Sequence, residues 1–176
     1  MVRHPQMQGT YAIEIQTRPQ LVWPWLAQMG RQKTGFYALD TWLNAGIPSA
    51  AVVRQDLPQP EVGMRLDNQL KILEMHITQH LVLGNFFLPG LLVSQHAITY
   101  SYVLQEIAPQ RTRLSVRVHA RYEGPFGRLH ARFRELWLSL QMILQLYGIR
   151  WRAEANREYM ADKIKANGNV RSPVRN

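Results

Sequence analysis

The chain has 176 residues, about the size of one domain, and 46% of them are hydrophobic, which is enough for a packed core. It contains no cysteine, and this excludes disulfide scaffolds, cysteine zinc sites and thiol catalysis. The net charge of +9 is spread along the chain without a block of five like charges or a nucleic-acid-binding motif, so the sequence does not favour a nucleic-acid partner. No apolar run follows Arg3 and His4, and we therefore expect a cytoplasmic protein.

The first elements are a strand and two short helices. Apolar and polar residues alternate over 11–15, which predicts a strand with one buried face. A helix is predicted to follow, with Thr17 as its cap, Pro19 in its first turn and Gly30 just after its end. Aromatic and apolar residues over 35–45 predict the second helix.

The middle of the chain has the pattern of a sheet. Residues 48–63 are rich in Pro and Gln and predict a loop with one short strand at 51–54. Strands are then predicted at 64–66, 71–77, 80–87, 96–106 and 112–122, with a turn around Pro109 and Gln110 between the last two. In the last of these, apolar residues alternate with basic ones, which is typical of an antiparallel sheet with one solvated face.

The last element is a long helix from Phe126 with two apolar stripes. The broader stripe is predicted to cover the sheet: Phe126, Leu129, Phe133, Trp137, Leu140, Leu144, Tyr147 and Trp151. The narrower one, Leu138, Met142, Leu146 and Ile149, would then face solvent. We expect it to form a homodimer interface. Cover by the apolar segment 86–93 and peripheral contact with a membrane are the alternatives.

These elements predict an α+β fold, a curved antiparallel sheet around a long C-terminal helix. We expect a single domain over 1–165 and a disordered tail over 166–176, where Asn, Gly, Ser and Pro prevail.

Two motifs resemble a known family. The stretch Val22-Trp-Pro-Trp-Leu-Ala-Gln-Met-Gly30, followed by Gly35-Phe-Tyr-Ala-Leu-Asp40, is similar to the START/SRPBCC superfamily and, within it, to the polyketide cyclase/dehydrase-like branch. The segments 112–114 and 148–154 also resemble family positions, so that the likeness covers roughly residues 10–160.

The resemblance implies a helix-grip fold with a cavity between sheet and helix. It also implies that the chain binds or transports a hydrophobic small molecule such as a lipid, sterol, isoprenoid or polyketide. A cyclase- or dehydratase-like enzyme is the alternative. The resemblance implies no cofactor, and we assign no catalytic residue.

The expected ligand-binding residues come from three parts of the chain. Strand alternation places His96, Tyr100 and Tyr102 on the inner face. The resemblance places Tyr37, Asp40 and Trp42 at one end of the cavity, and Phe133 and Trp137 would line it from the helix. Buried tyrosine hydroxyls need partners, which either a ligand or the protein itself, including Asp40, could supply.

A pair of histidines is the remaining candidate for chemistry. His76 and His80 have the spacing of zinc ligands on a helix, but apolar runs on both sides predict a hairpin with its turn at Thr78 and Gln79. We therefore predict no metal site. Glu74 shares a strand face with His76, and we interpret that face as solvated.

Overall fold

The computed structural model describes residues 5, 7–32, 34–39, 46–66, 70–86, 94–123, 127–159 and 162, with only the backbone of residues 86, 94–96, 122–123 and 127–134. The elements are β1 (Met7–Ile15), α1 (Pro19–Gln28), β2 (Lys71–His76), β3 (His80–Phe86), β4 (Ser94–Ala108), β5 (Arg111–Glu123) and α2 (Gly127–Ala155). The predicted tail over 166–176 lies outside the described residues.

The five strands form one antiparallel sheet in the order β1-β5-β4-β3-β2. Three hairpin connections and the return of β1 beside β5 produce this order. The alternating residues of β5 follow the sequence prediction: Leu114, Val116, Val118 and Ala120 are all buried. The turns at 77–79 and 109–110 are also where they were predicted, and each contains a non-glycine residue with positive φ, Thr78 and Gln110.

The start of α1 differs in detail from the prediction. Arg18 occupies the cap position without a side-chain bond, and the hydroxyl of Thr17 does not cap the helix. The Thr17 carbonyl instead accepts a hydrogen bond of 2.6 Å from the hydroxyl of Thr112, which joins this corner to β5. The short strand predicted at 51–54 is wrong, since these residues form bends and irregular backbone.

The second short helix is not present where the structure describes its range. Residues 35–39 are irregular, and both Tyr37 and Leu39 have positive φ, which interrupts any helix. Residues 40–45, the rest of the predicted helix, lie outside the described part of the chain.

Helix α2 runs without interruption from Gly127 to Ala155 and packs mainly on β1, and to a smaller extent on α1 and β5. Its two faces are reversed with respect to the prediction. The narrow stripe of Leu138, Met142, Leu146 and Ile149 is buried in the core, so the prediction that it faces solvent is wrong. The interface assigned to these four residues therefore loses its basis.

The broad aromatic stripe of α2 lies on the outside. The described members of this stripe and their neighbours are exposed: Leu136, Trp137, Leu140, Ile143, Leu144, Tyr147 and Trp151. The physical reason is the distance at which the helix packs. Glycine at 148 and Ala153 let α2 approach its neighbours closely, whereas a face of Trp and Tyr would hold it away. None of the described helices combines the length and apolarity that a membrane span requires.

Candidate functional site

The candidate site is the inner face of the sheet, where β3 and β4 meet. Cross-strand pairing places Leu83 opposite Tyr100, and Tyr100 opposite Val118. Leu83 and Val118 are each 1% exposed, whereas Tyr100 is only partly buried. Tyr100 therefore packs against buried apolar neighbours while remaining partly accessible.

Tyr102 lies one position further along this face, but its hydroxyl is used by the protein. It donates a 2.7 Å hydrogen bond to Oε1 of Gln145 on α2. The Nε2 of Gln145 donates in turn to the Phe36 carbonyl at 3.0 Å and to the sulfur of Met29 at 3.2 Å. Burial raises the pKa of Tyr102 far above its ordinary value, and the neighbouring Tyr100 adds to this effect. Tyr102 thus fixes α2 to the sheet as a neutral hydroxyl.

Tyr37 is likewise a structural residue in the described contacts. Its hydroxyl accepts a 2.9 Å bond from the Gln28 amide and donates a 3.0 Å bond to the Trp25 carbonyl. Its backbone N–H donates to the Ser49 hydroxyl at 3.0 Å, and the Arg152 guanidinium lies 5.0 Å from the ring centroid. Burial raises the pKa of Tyr37 above its ordinary range. The alternative in which protein groups satisfy both tyrosines is the one observed.

The structure does not bring the other expected ligand-binding residues together with Tyr100 on the inner face of the sheet. Trp137 is 38% exposed on the outer face of α2, so it does not line the inner side of the helix. His96 lies in β4 and Phe133 in α2, but their side chains lie outside the described residues. Asp40 and Trp42 lie outside them entirely. A register shift between Ser94 and Ala97 also interrupts the alternation on which the facing of His96 was predicted.

Asn85 was not predicted as a site residue. It lies on β3 opposite Ile98, on the same face as Leu81 and Leu83, and it is 5% exposed. Within the part of the chain that the structure describes, its Oδ1 atom has no hydrogen-bond partner. A buried acceptor without a donor costs about 1–3 kcal/mol. The signal was available, since Asn85 is a polar residue at an inward position of an apolar strand.

The histidine pair lies at the outer end of the hairpin between β2 and β3. Nε2 of His80 is 3.0 Å from Oε1 of Glu74, and both side chains are partly or largely exposed. The imidazoles of His76 and His80 lie 6.1 Å apart, centroid to centroid. No group of three metal-ligating side chains converges among the described residues. This surface contact offers no closed site for chemistry.

A cleft of about 210 Å³ lies between α1 and residues 53–60. The Arg31 guanidinium on its wall donates to the carbonyls of Ala27 and Pro58, at 3.1 and 2.6 Å. Ligand pockets usually measure about 300–1,000 Å³, and the charge here already has protein partners. The Arg31 guanidinium is thus held by backbone carbonyls, and we assign no binding site to this cleft.

No family model and no curated protein matches the sequence. Solved structures do match the fold. A hypothetical protein of Helicobacter pylori has a TM-score of 0.58 at 9% identity, over 85% of this chain and 89% of its own. A protein of Nitrosomonas europaea has a TM-score of 0.54 at 16% identity, over 87% and 97%.

A third structure is the di-domain ARO/CYC BexL from the BE-7585A biosynthetic pathway. Its TM-score is 0.55 at 7% identity, and the match covers 86% of this chain and 48% of BexL. At these identities the likeness shows the fold alone. The sheet order and the long C-terminal helix agree with it. The chain therefore has the α+β helix-grip fold that the resemblance to the START/SRPBCC superfamily predicted.

Proposed function

We propose that the chain binds a hydrophobic small molecule that carries one hydrogen-bond donor, on the inner face of the sheet beside Tyr100 and Asn85. The observation that carries this proposal is the buried, unpaired Oδ1 of Asn85 on an apolar face. An apolar ligand alone would leave this acceptor unsatisfied, whereas a ligand hydroxyl or N–H would satisfy it.

The packing of α2 supports the same position. Helix α2 lies mainly over the β1–β5 half of the sheet, where the Tyr11 hydroxyl lies 2.6 Å from Ser139 and the Gln16 N–H donates to Glu154. It reaches β4 through the bond between Gln145 and Tyr102. Asn85 and Tyr100 lie on β3 and β4, in the other half. Diagonal neighbours on adjacent strands lie about 7–8 Å apart, so one small molecule could contact both side chains.

The binding experiment uses two probes of similar shape, 1-naphthol and 1-methylnaphthalene, titrated into the purified full chain. We expect the naphthol to bind about tenfold more tightly, because only its hydroxyl can donate to Asn85. The Asn85→Leu variant should remove this preference and keep affinity for the hydrocarbon. A matched control is Ser101→Leu, a polar-to-apolar change on the outer face of β4 that should leave both affinities unchanged.

Two results would contradict the proposal. One is equal affinity of the wild type for both probes; the other is a naphthol preference that survives in Asn85→Leu. Native mass spectrometry of the freshly purified chain provides an independent readout, since a co-purified ligand should be displaced by naphthol.

The alternative function, a cyclase- or dehydratase-like enzyme, requires an acid or base at this face. Tyr37 and Tyr102 are poor candidates, because both hydroxyls are bonded within the protein and burial raises both pKa values. The alternative thus depends on Tyr100, His96 and Asp40. If it holds, replacing one of these with an apolar residue should lower turnover about a hundredfold with similar affinity, whereas a carrier would change affinity alone.

A further inference from the structure

The outer face of α2 carries an apolar stripe that the core does not use. It consists of Leu136, Trp137, Leu140, Ile143, Leu144, Tyr147 and Trp151, and we call it the outer stripe. Leu136, Tyr147 and Trp151 are 74, 59 and 65% exposed. The spacings of three and four residues keep the seven members within one sector of the helix. Between Leu136 and Trp151, no charged or polar residue lies in this sector.

The outer stripe is larger than a monomer usually leaves in water. With about 150–250 Å² for each of the three aromatic side chains, and about the lower of these values for each of the four aliphatic ones, the exposed fractions amount to roughly 550–700 Å². The largest apolar patch on a typical monomer measures about 300–600 Å², and one partner of a stable protein interface contributes about 800 Å². The area therefore fits a protein interface.

Six of the seven residues of the outer stripe are arranged symmetrically. A two-fold axis that crosses the helix between Ile143 and Leu144 would place Leu136 opposite Trp151 of a second copy. The same axis would place Leu140 opposite Tyr147, and Ile143 opposite Leu144. The seventh residue, Trp137, would lie opposite Arg150. A stripe with this property is complementary to itself in an antiparallel arrangement, as a two-fold interface requires.

Charge does not select the orientation of such a pair. The first two turns of α2, residues 127–134, contain three arginines and a histidine and no carboxylate. The last turns contain Arg150 and Arg152 against the single carboxylate of Glu154, so both ends of the helix are basic. The antiparallel arrangement therefore rests on the area of the outer stripe and on the order of its residues.

We propose that the outer stripe is a homodimer interface in which two α2 helices pack antiparallel about an axis between Ile143 and Leu144. This proposal concerns a face of the helix opposite to the ligand site and does not depend on it. It replaces the interface predicted from the sequence on the buried stripe.

Sedimentation equilibrium of the full chain tests the dimer. We expect Leu140→Glu to raise the dissociation constant at least about thirtyfold, because it places a carboxylate in the centre of the interface. Tyr147→Glu is a second variant on the same surface. The control, Val103→Glu, changes an exposed apolar residue on the outer face of β4 and should leave the dimer intact. Circular dichroism would show that each variant is folded.

Spin labels test the arrangement, and the absence of native cysteine makes single labelling direct. A label at Leu144→Cys lies near the axis and should give a short distance between copies. A label at Leu136→Cys should give a distance of at least about 22 Å, because fifteen residues of helix separate the two sites along the axis.

Three results would overturn the proposal. A monomeric wild type at high micromolar concentration would do so, whether or not it binds vesicles of phosphatidylglycerol and phosphatidylcholine. A dimer that Leu140→Glu and Tyr147→Glu leave intact would place the interface elsewhere. Short distances at both labelled positions would indicate a parallel pair and exclude the two-fold axis described.

Discussion

The two faces of α2 are both apolar, yet only one of them belongs to the core. The buried face contains Leu138, Met142, Leu146 and Ile149, together with one polar residue, Gln145. The outer face has the larger and more aromatic side chains. Hydrophobicity therefore does not decide which face packs inward. The selection comes from shape and hydrogen bonding, through Gly148, which contacts the Tyr37 backbone, and Gln145, which bonds to Tyr102 and Phe36.

The largest expected effect comes from a charge placed on each face at adjacent positions. Met142→Asp should destabilise the fold by about 4 kcal/mol or more, because it buries an unpaired carboxylate in a core position. Ile143→Asp, one residue further on the exposed face, should cost less than about 1 kcal/mol in dilute protein. Urea denaturation of the two variants would compare them directly. If the two variants lost similar amounts of unfolding free energy, the assignment of the buried and exposed faces would be wrong.

Gly148 provides the next test. A Cβ atom at this position would overlap the carbonyl oxygen and Cβ of Tyr37, and a backbone atom cannot rotate away. Alanine improves helix propensity by about 1 kcal/mol, but overpacking of this kind costs about 1–3 kcal/mol or more. We expect Gly148→Ala to be destabilising by about 1–2 kcal/mol on balance.

The adjacent variant Tyr147→Ala serves as the control for the Gly148 substitution. Tyr147 is exposed, so this change should alter the stability of the monomer by less than about 0.5 kcal/mol. Thermal denaturation would give both values. A stabilised Gly148→Ala variant would show that α2 does not need to approach Tyr37 so closely.

Tyr102→Phe tests the hydrogen bond that joins the buried face of α2 to the sheet. Its removal leaves Oε1 of Gln145 without the hydroxyl donor and should cost about 1–2 kcal/mol at neutral pH. Denaturant midpoints at constant pH would measure this loss.

The pH dependence of the same variant has a defined sign. Burial raises the pKa of Tyr102 in the folded state above its unfolded value near 10, so the folded state holds the proton more tightly. This contribution is fully present below pH 10 and is lost as the pH rises above it, by about 1.4 kcal/mol per pH unit. The free energies of unfolding of wild type and Tyr102→Phe should thus approach each other above pH 10 and cross at about pH 11. Parallel curves between pH 8 and 12 would contradict this assignment.

Sequence patterns predicted the sheet well and the details of packing poorly. The alternation in β5 and the turn at Gln110 were sufficient to place the last two strands. A strand with one solvent-exposed face shows a clear alternation of apolar and polar residues in the sequence. The side of α2 that packs on the sheet could not be predicted in this way, because a helix with apolar residues on both sides has no single preferred face. The close approach at Gly148 depends on the backbone of Tyr37, which is 111 residues away in the sequence.

The candidate site shows the same limit. Alternation correctly placed Tyr102 inward, but it could not show that Gln145 would bond to its hydroxyl. The facing predicted for His96 assumed a regular strand, whereas β4 has a register shift there. Asn85 could have been found by applying the alternation rule to polar residues as well as apolar ones.

The smallest expected effect lies at the border between the two faces of α2, at Glu154. Its Oε1 atom is 3.2 Å from Nε of Arg150 and accepts a 2.8 Å bond from the Gln16 N–H. Glu154→Gln removes the charge but keeps an amide oxygen for Gln16, and partly exposed ion pairs of this spacing contribute about 0.3–0.5 kcal/mol. Glu154→Ala also removes the acceptor for Gln16, so it should cost about 0.5–1 kcal/mol more. Chemical denaturation at low and high salt separates the two contributions, since only the ion pair should weaken with salt. Equal stabilities of the two variants would show that the bond to Gln16 does not hold the end of β1 against α2.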